Sequence, residues 1–266
     1  MTQMIVFVTM FKNLGRDKWE FYKRSSIMYL NCFKQLAENI DYTLVVYVET
    51  DMLKEIINNV KLKNNIILID SSTISTYLNK YIESESQIMA SETYKSKIPE
   101  QRKKCPEHTL PQYTLTTHSK IQYIYNTKKI MPGYDYYAWI DFGWVRNNAI
   151  ETIPRNLDLN KLGNKIIINN LNVIPKIHLS AETMLSRNEI FIAGNSYIVP
   201  NHQLELFQHL YDKKIEEWKH LGIADDEQNL IYQLWSENKE MFQLIHTGSD
   251  NWWALYRDHL NGMPEK

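Results

Sequence analysis

The sequence predicts an α/β fold in which helices flank a mostly parallel central sheet. Three short apolar runs rich in β-branched residues, at 5–10, 42–48 and 65–70, are predicted to be buried strands. Residues 19–39 place apolar side chains at helical spacing, and residues 52–60 show a shorter helical pattern. This alternation of strands and helices indicates parallel strands, which bind ligands at their carboxyl ends.

The rest of the chain continues the alternation. Further strands are predicted at 136–141, 165–170, 189–199 and 242–245, and further helices at 119–129, 202–220 and 225–237. Residues 73–112 are polar and contain three closely spaced prolines and a basic cluster, so we expect a mobile loop or an excursion that meets an acceptor. Because no repeat or linker is evident, we predict one domain over residues 1–266. Residues 1–145 would be its nucleotide-binding half and 146–266 its acceptor and sugar half.

Bulk properties narrow the class of protein. Hydrophobic residues make up 44% of the 266, charged residues make up 23%, and the net charge is −1. This balance predicts an ordinary globular core and offers no electrostatic case for nucleic acid as a partner. Two distant cysteines, no signal-peptide pattern and no apolar run of about 20 residues favour a reduced cytoplasmic protein.

The predicted strand at 136–141 ends in Asp141, within the motif WIDFG at 139–143. A carboxylate at the end of a parallel strand lies where such sheets bind ligands, and it can hold a divalent cation that neutralises a diphosphate. The competing interpretation is that Asp141 only caps a turn before Gly143.

Three consecutive acids, Asp225, Asp226 and Glu227, stand where a helix is predicted to begin. Their mutual repulsion is costly unless a cation, a hydroxyl group or the helix dipole offsets it. One of them could act as a base or nucleophile, or could steer sugar hydroxyls. The competing interpretation is a simple helix cap with a solvated first turn.

Two further segments could contact an anionic ligand. His246 follows the last predicted strand and precedes Gly248 by two residues, a setting in which histidine can bind a metal or a phosphate. The loop after the first strand carries Lys12 and Arg16 beside Gly15, and its amides could receive a diphosphate. Neither GxGxxG nor GxxxxGK[ST] is present, which argues against dinucleotide enzymes and P-loop ATPases.

Taken in order, these segments resemble a GT-A glycosyltransferase. WIDFG stands where a DxD motif would lie, ADDEQNL resembles a DE/DQ-x-x-L element, and IHTGSDNWW resembles a C-terminal HxG…W element. More narrowly, the chain is similar to the HtrL/YibB family of bacterial lipopolysaccharide-cluster proteins. The similar stretches are VTMFKNLGRDKWEFYKRS, YLNCFKQLA, LVVYVET, SKIQYI and YYAWIDFGWVR.

The resemblance implies a GT-A-like fold and the transfer of a hexose from a nucleotide sugar, with UDP as the expected carrier. The implied acceptor is an oligosaccharide or lipid-linked glycan of lipopolysaccharide, lipooligosaccharide or capsule, so the protein could work at the inner face of the cytoplasmic membrane. The expected donor and cofactor contacts are Thr9, Phe11, Lys12, Arg16, Arg24, Lys120, Asp141 and Gly194.

The resemblance also implies Mn²⁺ or Mg²⁺ on Asp141 and His246. Asp226 stands four residues before Leu230, as the first acid of DE/DQ-x-x-L does, and would therefore contact sugar hydroxyls. Glu227 would be the nucleophile or base, and Asp225 would cap the helix. One departure concerns the metal: Gly143 replaces the second acid of DxD, so basic residues could take the place of the ion.

Two other functions stay open at this point. A sugar-nucleotidyltransferase has a related nucleotide-binding sheet, but it calls for a glycine-rich basic signature near the N-terminus, where only Gly15 occurs. A non-catalytic glycan-binding protein on the same fold is the second alternative, and hydrolysis of a donor sugar without acceptor would separate it from an enzyme.

Overall fold

The computed structural model describes residues 3–147, 149–175, 177–187 and 189–260. The strands are β1 Ile5–Phe11, β2 Thr43–Val48, β3 Ile66–Asp70, β4 Tyr136–Ile140, β5 Ile166–Asn170, β6 Ile192–Pro200 and β7 Phe242–His246. The α-helices are α1 Ser26–Asn39, α2 Thr50–Asn59, α3 Tyr77–Ala90, α4 Glu92–Lys97, α5 Pro106–Thr109, α6 Pro111–His118, α7 Lys120–Ile130, α8 Ala181–Ser186, α9 Leu204–His220 and α10 Glu227–Glu237.

The described strands form one seven-stranded sheet in the order β3-β2-β1-β4-β6-β5-β7. β1 pairs in parallel with β2 and β4, β2 with β3, and β5 with β7, whereas β6 is antiparallel to both of its neighbours. The predicted fold class, a GT-A-like α/β domain with a mostly parallel sheet flanked by helices, is confirmed.

Alternate residues along the strands pack into cores on opposite faces of the sheet. Val8 and Trp139 belong to the core beneath α7, α9 and α10, whereas Phe7 and Ala138 belong to the core beneath α1 and α2. Since both faces are covered, the strands are continuously apolar and do not alternate with polar residues. The face that carries Trp139 also receives Asp141, two residues further along the chain.

The reversed direction of β6 matters for the site. Ile140 at the end of β4 pairs with Ser196, and the Asp141 amide donates to the Asn195 carbonyl over 3.1 Å. The start of β6, including Gly194, therefore lies at the same sheet edge as the carboxyl ends of β1 and β4. Side chains from three separate strands can meet at that edge.

Two predicted segments differ from the structure. The helix expected at 19–39 begins only at Ser26, because the Ser25 side chain accepts from the Met28 amide and caps the helix there. Residues 73–112, expected to be a mobile loop or excursion, contain α3, α4, α5 and the start of α6. Prolines begin α5 and α6 and so divide the segment into short helices, which the sequence pattern did not reveal.

Within the described residues, no helix combines the length and the apolar composition that a bilayer crossing requires.

Candidate functional site

A cleft of about 530 Å³ opens at the sheet edge formed by the carboxyl ends of β1 and β4. This volume lies within the range of small-molecule sites, roughly 300–1,000 Å³. The cleft is lined by all but three of the residues that the sequence predicts for the site. The lining ones are Phe11, Lys12, Arg16, Arg24, Lys120, Asp141, Gly194, Asp226 and Glu227.

Lys120, the first residue of α7, is at the centre of a charged cluster on the cleft floor. Its ammonium nitrogen lies 2.6 Å from Glu227 Oε1, 3.1 Å from Asp141 Oδ1 and 2.7 Å from the Gly194 carbonyl oxygen. Only 11% of its side chain is exposed. Burial lowers the pKa of Lys120, but the charges of Asp141 and Glu227 outweigh burial and raise it, so the lysine stays charged. We call Lys120, Asp141 and Glu227 the floor cluster.

Gly194 allows this close approach. A Cβ atom at this position would lie 2.0 Å from Glu227 Oε1, which no real contact permits. The missing side chain therefore gives Glu227 its place beside Lys120, and the buried Gly194 carbonyl serves as the third acceptor of the ammonium. The resemblance implied Gly194 as a donor contact, and the structure supplies a steric reason for glycine there.

The three acids at the start of α10 take three different positions. Asp226 caps the helix by accepting from the Gln228 amide, and it lines the cleft together with Glu227. Asp225 is buried outside the cleft lining, where its carboxylate accepts from the Asn229 side chain over 2.7 Å. The capping role expected for Asp225 thus belongs to Asp226. The sequence pattern could not decide this, because the backbone turn selects the cap.

Asp226 has an unusual electrostatic setting. Its side chain is half-buried, and burial together with the charges of Glu227 and Asp225 raises its pKa well above the ordinary value. A carboxylate with a raised pKa is better matched to proton transfer near neutral pH than an ordinary one. Asp226 therefore has the electrostatic properties of an acid–base group.

Three arginines line the cleft around the Tyr29 ring. The Tyr29 hydroxyl accepts from Arg16 over 2.7 Å and from Arg24 over 3.4 Å. Arg146 donates to the Gly143 carbonyl, and burial and the charge of Arg24 lower its pKa. Within the described ranges, none of the three forms an ion pair with a carboxylate, whereas Arg102, Arg187 and Arg257 each do. Three unneutralised guanidinium groups at one place favour an anionic ligand.

The remaining predicted donor contacts differ in how free they are to bind. Lys12 lines the cleft, but its ammonium pairs with Glu49 at 2.6 Å. Phe11 packs against Tyr29 and Phe142 at the cleft wall. Thr9 is fully buried in β1 and does not line the cleft. Its hydroxyl has no hydrogen-bond partner in the described part of the chain.

The structure does not bring His246 to Asp141. His246 ends β7, an exposed edge strand, and its Nδ1 lies 2.9 Å from Asn170 Oδ1. It is not among the residues that line the cleft, although Trp252 and Trp253 from the same C-terminal element are. The sequence showed a histidine after a strand but could not show that this strand lies three places away from β4.

The residues around Asp141 fit a divalent cation poorly. Asp141 Oδ1 already accepts from the Trp139 indole over 2.8 Å as well as from Lys120. At Gly143, the position of the second acid, a Cβ atom would meet the Tyr29 ring at 2.9 Å. No group of three or more His, Cys, Asp or Glu side chains in the described residues is arranged to hold a metal ion.

Sequence reasoning missed Tyr29, Tyr113 and Arg146, which also line the cleft. Arg146 could have been predicted from the sequence, because it ends the stretch YYAWIDFGWVR and follows Asp141 by five residues. Tyr29 carried no such signal. It stands one turn inside α1, and only the packing of α1 against the loop after β4 turns it toward the arginines.

The mostly parallel sheet and the charged cleft at its carboxyl edge define a ligand-binding α/β domain of GT-A-like class. Residues 3–260 match the family model described as "Bacterial protein of unknown function (HtrL_YibB)", and the chain therefore belongs to the HtrL/YibB family. It is similar to "Protein HtrL" of Escherichia coli (strain K12), with 24% identity over 97% of this chain and 93% of the relative.

Solved structures resemble the chain more remotely. A glycosyltransferase involved in glycosylating the major capsid of PBCV-1 aligns with a TM-score of 0.45 and 12% identity, covering 91% of this chain and 82% of that one. Apo mouse xyloside xylosyltransferase 1 aligns with a TM-score of 0.42 and 11% identity, covering 96% and 93%. Likeness at this level carries no information about activity.

Proposed function

We propose that this protein is a glycosyltransferase that moves a hexose from a nucleotide sugar, with UDP as the carrier, to an acceptor hydroxyl. One observation carries the proposal: one cleft holds two kinds of charged group. Arg16, Arg24 and Arg146 line it and, in the described residues, form no ion pair with a carboxylate, and the acids Asp226 and Glu227 line it as well. A nucleotide sugar needs both kinds of group, because its diphosphate is anionic and its sugar carries hydroxyl groups.

The arginines and the acids have distinct parts in the proposed reaction. The arginines bind the diphosphate and stabilise the charge that develops on it as the bond from the anomeric carbon to the phosphate oxygen breaks. The acceptor hydroxyl oxygen forms the new bond to that carbon and loses its proton. Asp226 is the group we assign to that proton, because its pKa is raised and it lines the cleft.

The acceptor we propose is a bacterial surface glycan, of lipopolysaccharide, lipooligosaccharide or capsule. It rests on the sequence resemblance. The division into a nucleotide-binding half, residues 1–145, and an acceptor and sugar half, residues 146–266, stays a prediction; residues of both halves line the cleft, among them Arg16, Arg146 and Trp253. The location at the inner face of the cytoplasmic membrane stays a prediction.

Calorimetric titration of the purified protein with UDP, GDP, ADP and CDP tests the proposal. Arg24→Gln should weaken binding of the preferred diphosphate by roughly 10- to 100-fold, the loss expected for one charge-assisted hydrogen bond of about 1.5–3 kcal/mol. Arg257→Gln is the matched control, because Arg257 pairs with Asp258 outside the cleft lining.

The enzyme is then assayed by release of nucleoside diphosphate from nucleotide sugars, with and without oligosaccharide acceptors. Slow hydrolysis of one donor without acceptor is the expected minimum. If none of the nucleoside diphosphates binds, the proposed function is wrong. Pyrophosphate release from a nucleoside triphosphate and a sugar phosphate would instead assign a nucleotidyltransferase, and binding without turnover of any donor would leave a glycan-binding protein.

A further inference from the structure

The Lys120 ammonium occupies the centre of an oxygen cage. Its three hydrogens match three acceptors: Glu227 Oε1 at 2.6 Å, the Gly194 carbonyl at 2.7 Å and Asp141 Oδ1 at 3.1 Å. Two of these acceptors are anionic, and one comes from each of the elements α10, β6 and the end of β4. A positive charge held by acidic and carbonyl oxygens from several elements is the environment that proteins otherwise give to a metal ion.

The cage leaves little opportunity for a second cation. A divalent ion at Asp141 would stand within a few ångströms of the Lys120 ammonium, and like charges at such distances repel by several kcal/mol even at an effective dielectric constant of about 20. Displacing Lys120 instead would strand a buried charge, because 11% of its side chain is exposed and Glu227 beside it is only 5% exposed.

We propose that Lys120 is the internal cation of this cleft, and that it takes the place a divalent metal would hold between Asp141 and Glu227. The cleft then binds a nucleoside diphosphate without Mn²⁺ or Mg²⁺, and the three arginines neutralise the diphosphate. Lys120 acts as a positioning residue, since it holds Glu227 and Asp141 in place and itself touches their oxygens. The part of the inference that concerns nucleotide binding rests on the proposed function. The part that concerns Lys120 and its three oxygen acceptors does not depend on it.

A gain of metal binding provides the sharpest test. Lys120→Ala removes the ammonium and leaves two carboxylates facing each other, which a divalent cation can bridge. Titration of Mn²⁺ followed by electron paramagnetic resonance should show no stoichiometric site in the wild-type apoprotein and one site in Lys120→Ala. We expect at least about tenfold tighter Mn²⁺ binding in the variant, a conservative figure for removing one like charge beside the ion.

Lys214→Ala is the matched control. Lys214 is also a buried lysine between two carboxylates, at 2.8 Å from Glu217 and 2.7 Å from Glu237, and it lies outside the cleft lining. Its two glutamates are 48% and 39% exposed and are free to separate into water. Lys214→Ala should therefore gain no Mn²⁺ site, and an equal gain in both variants would show that any freed carboxylate pair binds the ion.

Two measurements on the wild-type protein keep the test decisive even where Lys120→Ala does not fold. A tight, one-to-one Mn²⁺ site in the wild type that Asp141→Asn abolishes would overturn the proposal. So would nucleoside diphosphate binding that is lost in EDTA and restored by Mn²⁺. If no nucleoside diphosphate binds under either condition, the proposed function fails, while the ion titration still decides the role of Lys120.

Lys120→Ala should lower turnover, because Asp141 and Glu227 lose the charge that positions them. In a folded variant, added Mn²⁺ should raise the melting temperature and restore part of that turnover. Wild-type turnover and melting temperature should not respond to Mn²⁺. If Lys120 had only a packing role, the Lys120→Ala protein would be less stable than the wild type and Mn²⁺ would restore neither its stability nor its turnover. The responses of melting temperature and turnover to Mn²⁺ therefore separate a positioning role from a merely structural one.

Discussion

Two clusters of charge lie on either side of the start of α10, and one short stretch of acids supplies both. The floor cluster of Lys120, Asp141 and Glu227 opens into the cleft. Behind it, Asp225 is buried beside Asn229 and Arg102, and we call these three residues the sealed cluster. Adjacent carboxylates thus reach opposite environments, because the backbone turn at the helix start points their side chains in different directions. The three consecutive acids therefore provide one buried residue, Asp225, and two residues that line the cleft, Asp226 and Glu227.

The sealed cluster holds the start of α10 in place. Asp225 accepts from Asn229 and from the Asp226 amide, and its carboxylate lies 3.7 Å from Arg102. The Asp225 carbonyl oxygen accepts from the His118 Nε2 hydrogen over 2.9 Å. These contacts fix the turn that carries Asp226 and Glu227 toward the cleft, so the sealed cluster supports the open one.

The largest expected effect separates the two clusters by activity. Asp226→Asn and Glu227→Gln should each lower turnover by on the order of a hundredfold or more, the size of effect that a lost acid–base group produces. The melting temperature of Asp226→Asn should change little, because an asparagine at position 226 also caps a helix well. Glu227→Gln should also lower stability, because it removes the charge that faces the buried Lys120 ammonium.

Steady-state kinetics with the donor identified by titration measures this, and Asp225→Asn serves as the comparison. Asp225→Asn should keep most of its turnover, since its side chain does not line the cleft. If Asp226→Asn and Glu227→Gln both retain near-normal turnover, the acids at the start of α10 serve only to cap it, and the comparison between the clusters fails.

The next effect concerns stability. Asp225→Ala removes the acceptor of Asn229 and the charge facing Arg102, and leaves buried donors without partners. The free energy of unfolding should fall by about 3 kcal/mol, as expected when one member of a buried charged pair is removed. Urea unfolding followed by circular dichroism measures the loss.

Asp225→Asn keeps the shape of the side chain and one acceptor oxygen, so it should cost clearly less than Asp225→Ala. The affinity for nucleoside diphosphate should stay unchanged in both variants, because Asp225 does not line the cleft that holds the arginines that we assign to the diphosphate. Equal unfolding free energies for Asp225→Ala and the wild type would mean that the sealed cluster contributes nothing to stability.

Much of the fold could be predicted because it depends on local patterns. Strand runs such as 5–10 and 136–141 are apolar on both faces, and the structure places strands there with Asp141 at a carboxyl end. The helices between residues 73 and 112 could not be predicted, since their stabilising contacts are distant in sequence. Tyr77, for example, donates to Asp212 on α9, which is 135 residues away.

The site was predictable where an element's end fixes a residue's place. Asp141 and Arg16 follow strands whose carboxyl ends share one edge, and both line the cleft. Its contacts were not predictable, because Lys120 reaches Asp141 and Glu227 only after α7, β4 and α10 have packed together. Likewise, His246 at the end of β7 and Asp141 just after β4 both lie at strand ends, but strand order is a property of the whole sheet and separates them.

The smallest expected effect is a pH dependence of stability that comes from His118, which contacts the Asp225 carbonyl. His118 is fully buried, its Nε2 donates to the Asp225 carbonyl, and its Nδ1 accepts from the Tyr211 hydroxyl over 2.8 Å, so its imidazole is neutral. Burial, with the positive charge of Lys219 adding to it, lowers the pKa of His118 to about 3. In the unfolded chain the same imidazole takes up a proton near pH 6.5.

Because the folded-state pKa of His118 is the lower one, its contribution to stability is complete above about pH 6.5 and is lost as the pH falls toward 3. The free energy of unfolding should fall by up to about 1.4 kcal/mol per pH unit from this residue. His118→Gln keeps a donor toward Asp225 but does not titrate, so the slope of its unfolding free energy between pH 6.5 and 4.5 should be flatter than that of the wild type.

The quantity to measure is the difference between the wild-type and His118→Gln slopes, because the raised pKa values of Asp225 and Asp226 oppose the trend in both proteins. His209→Gln, at an exposed position, is the control, and a His118→Gln slope equal to the wild-type slope would show that the sealed cluster does not exclude the proton.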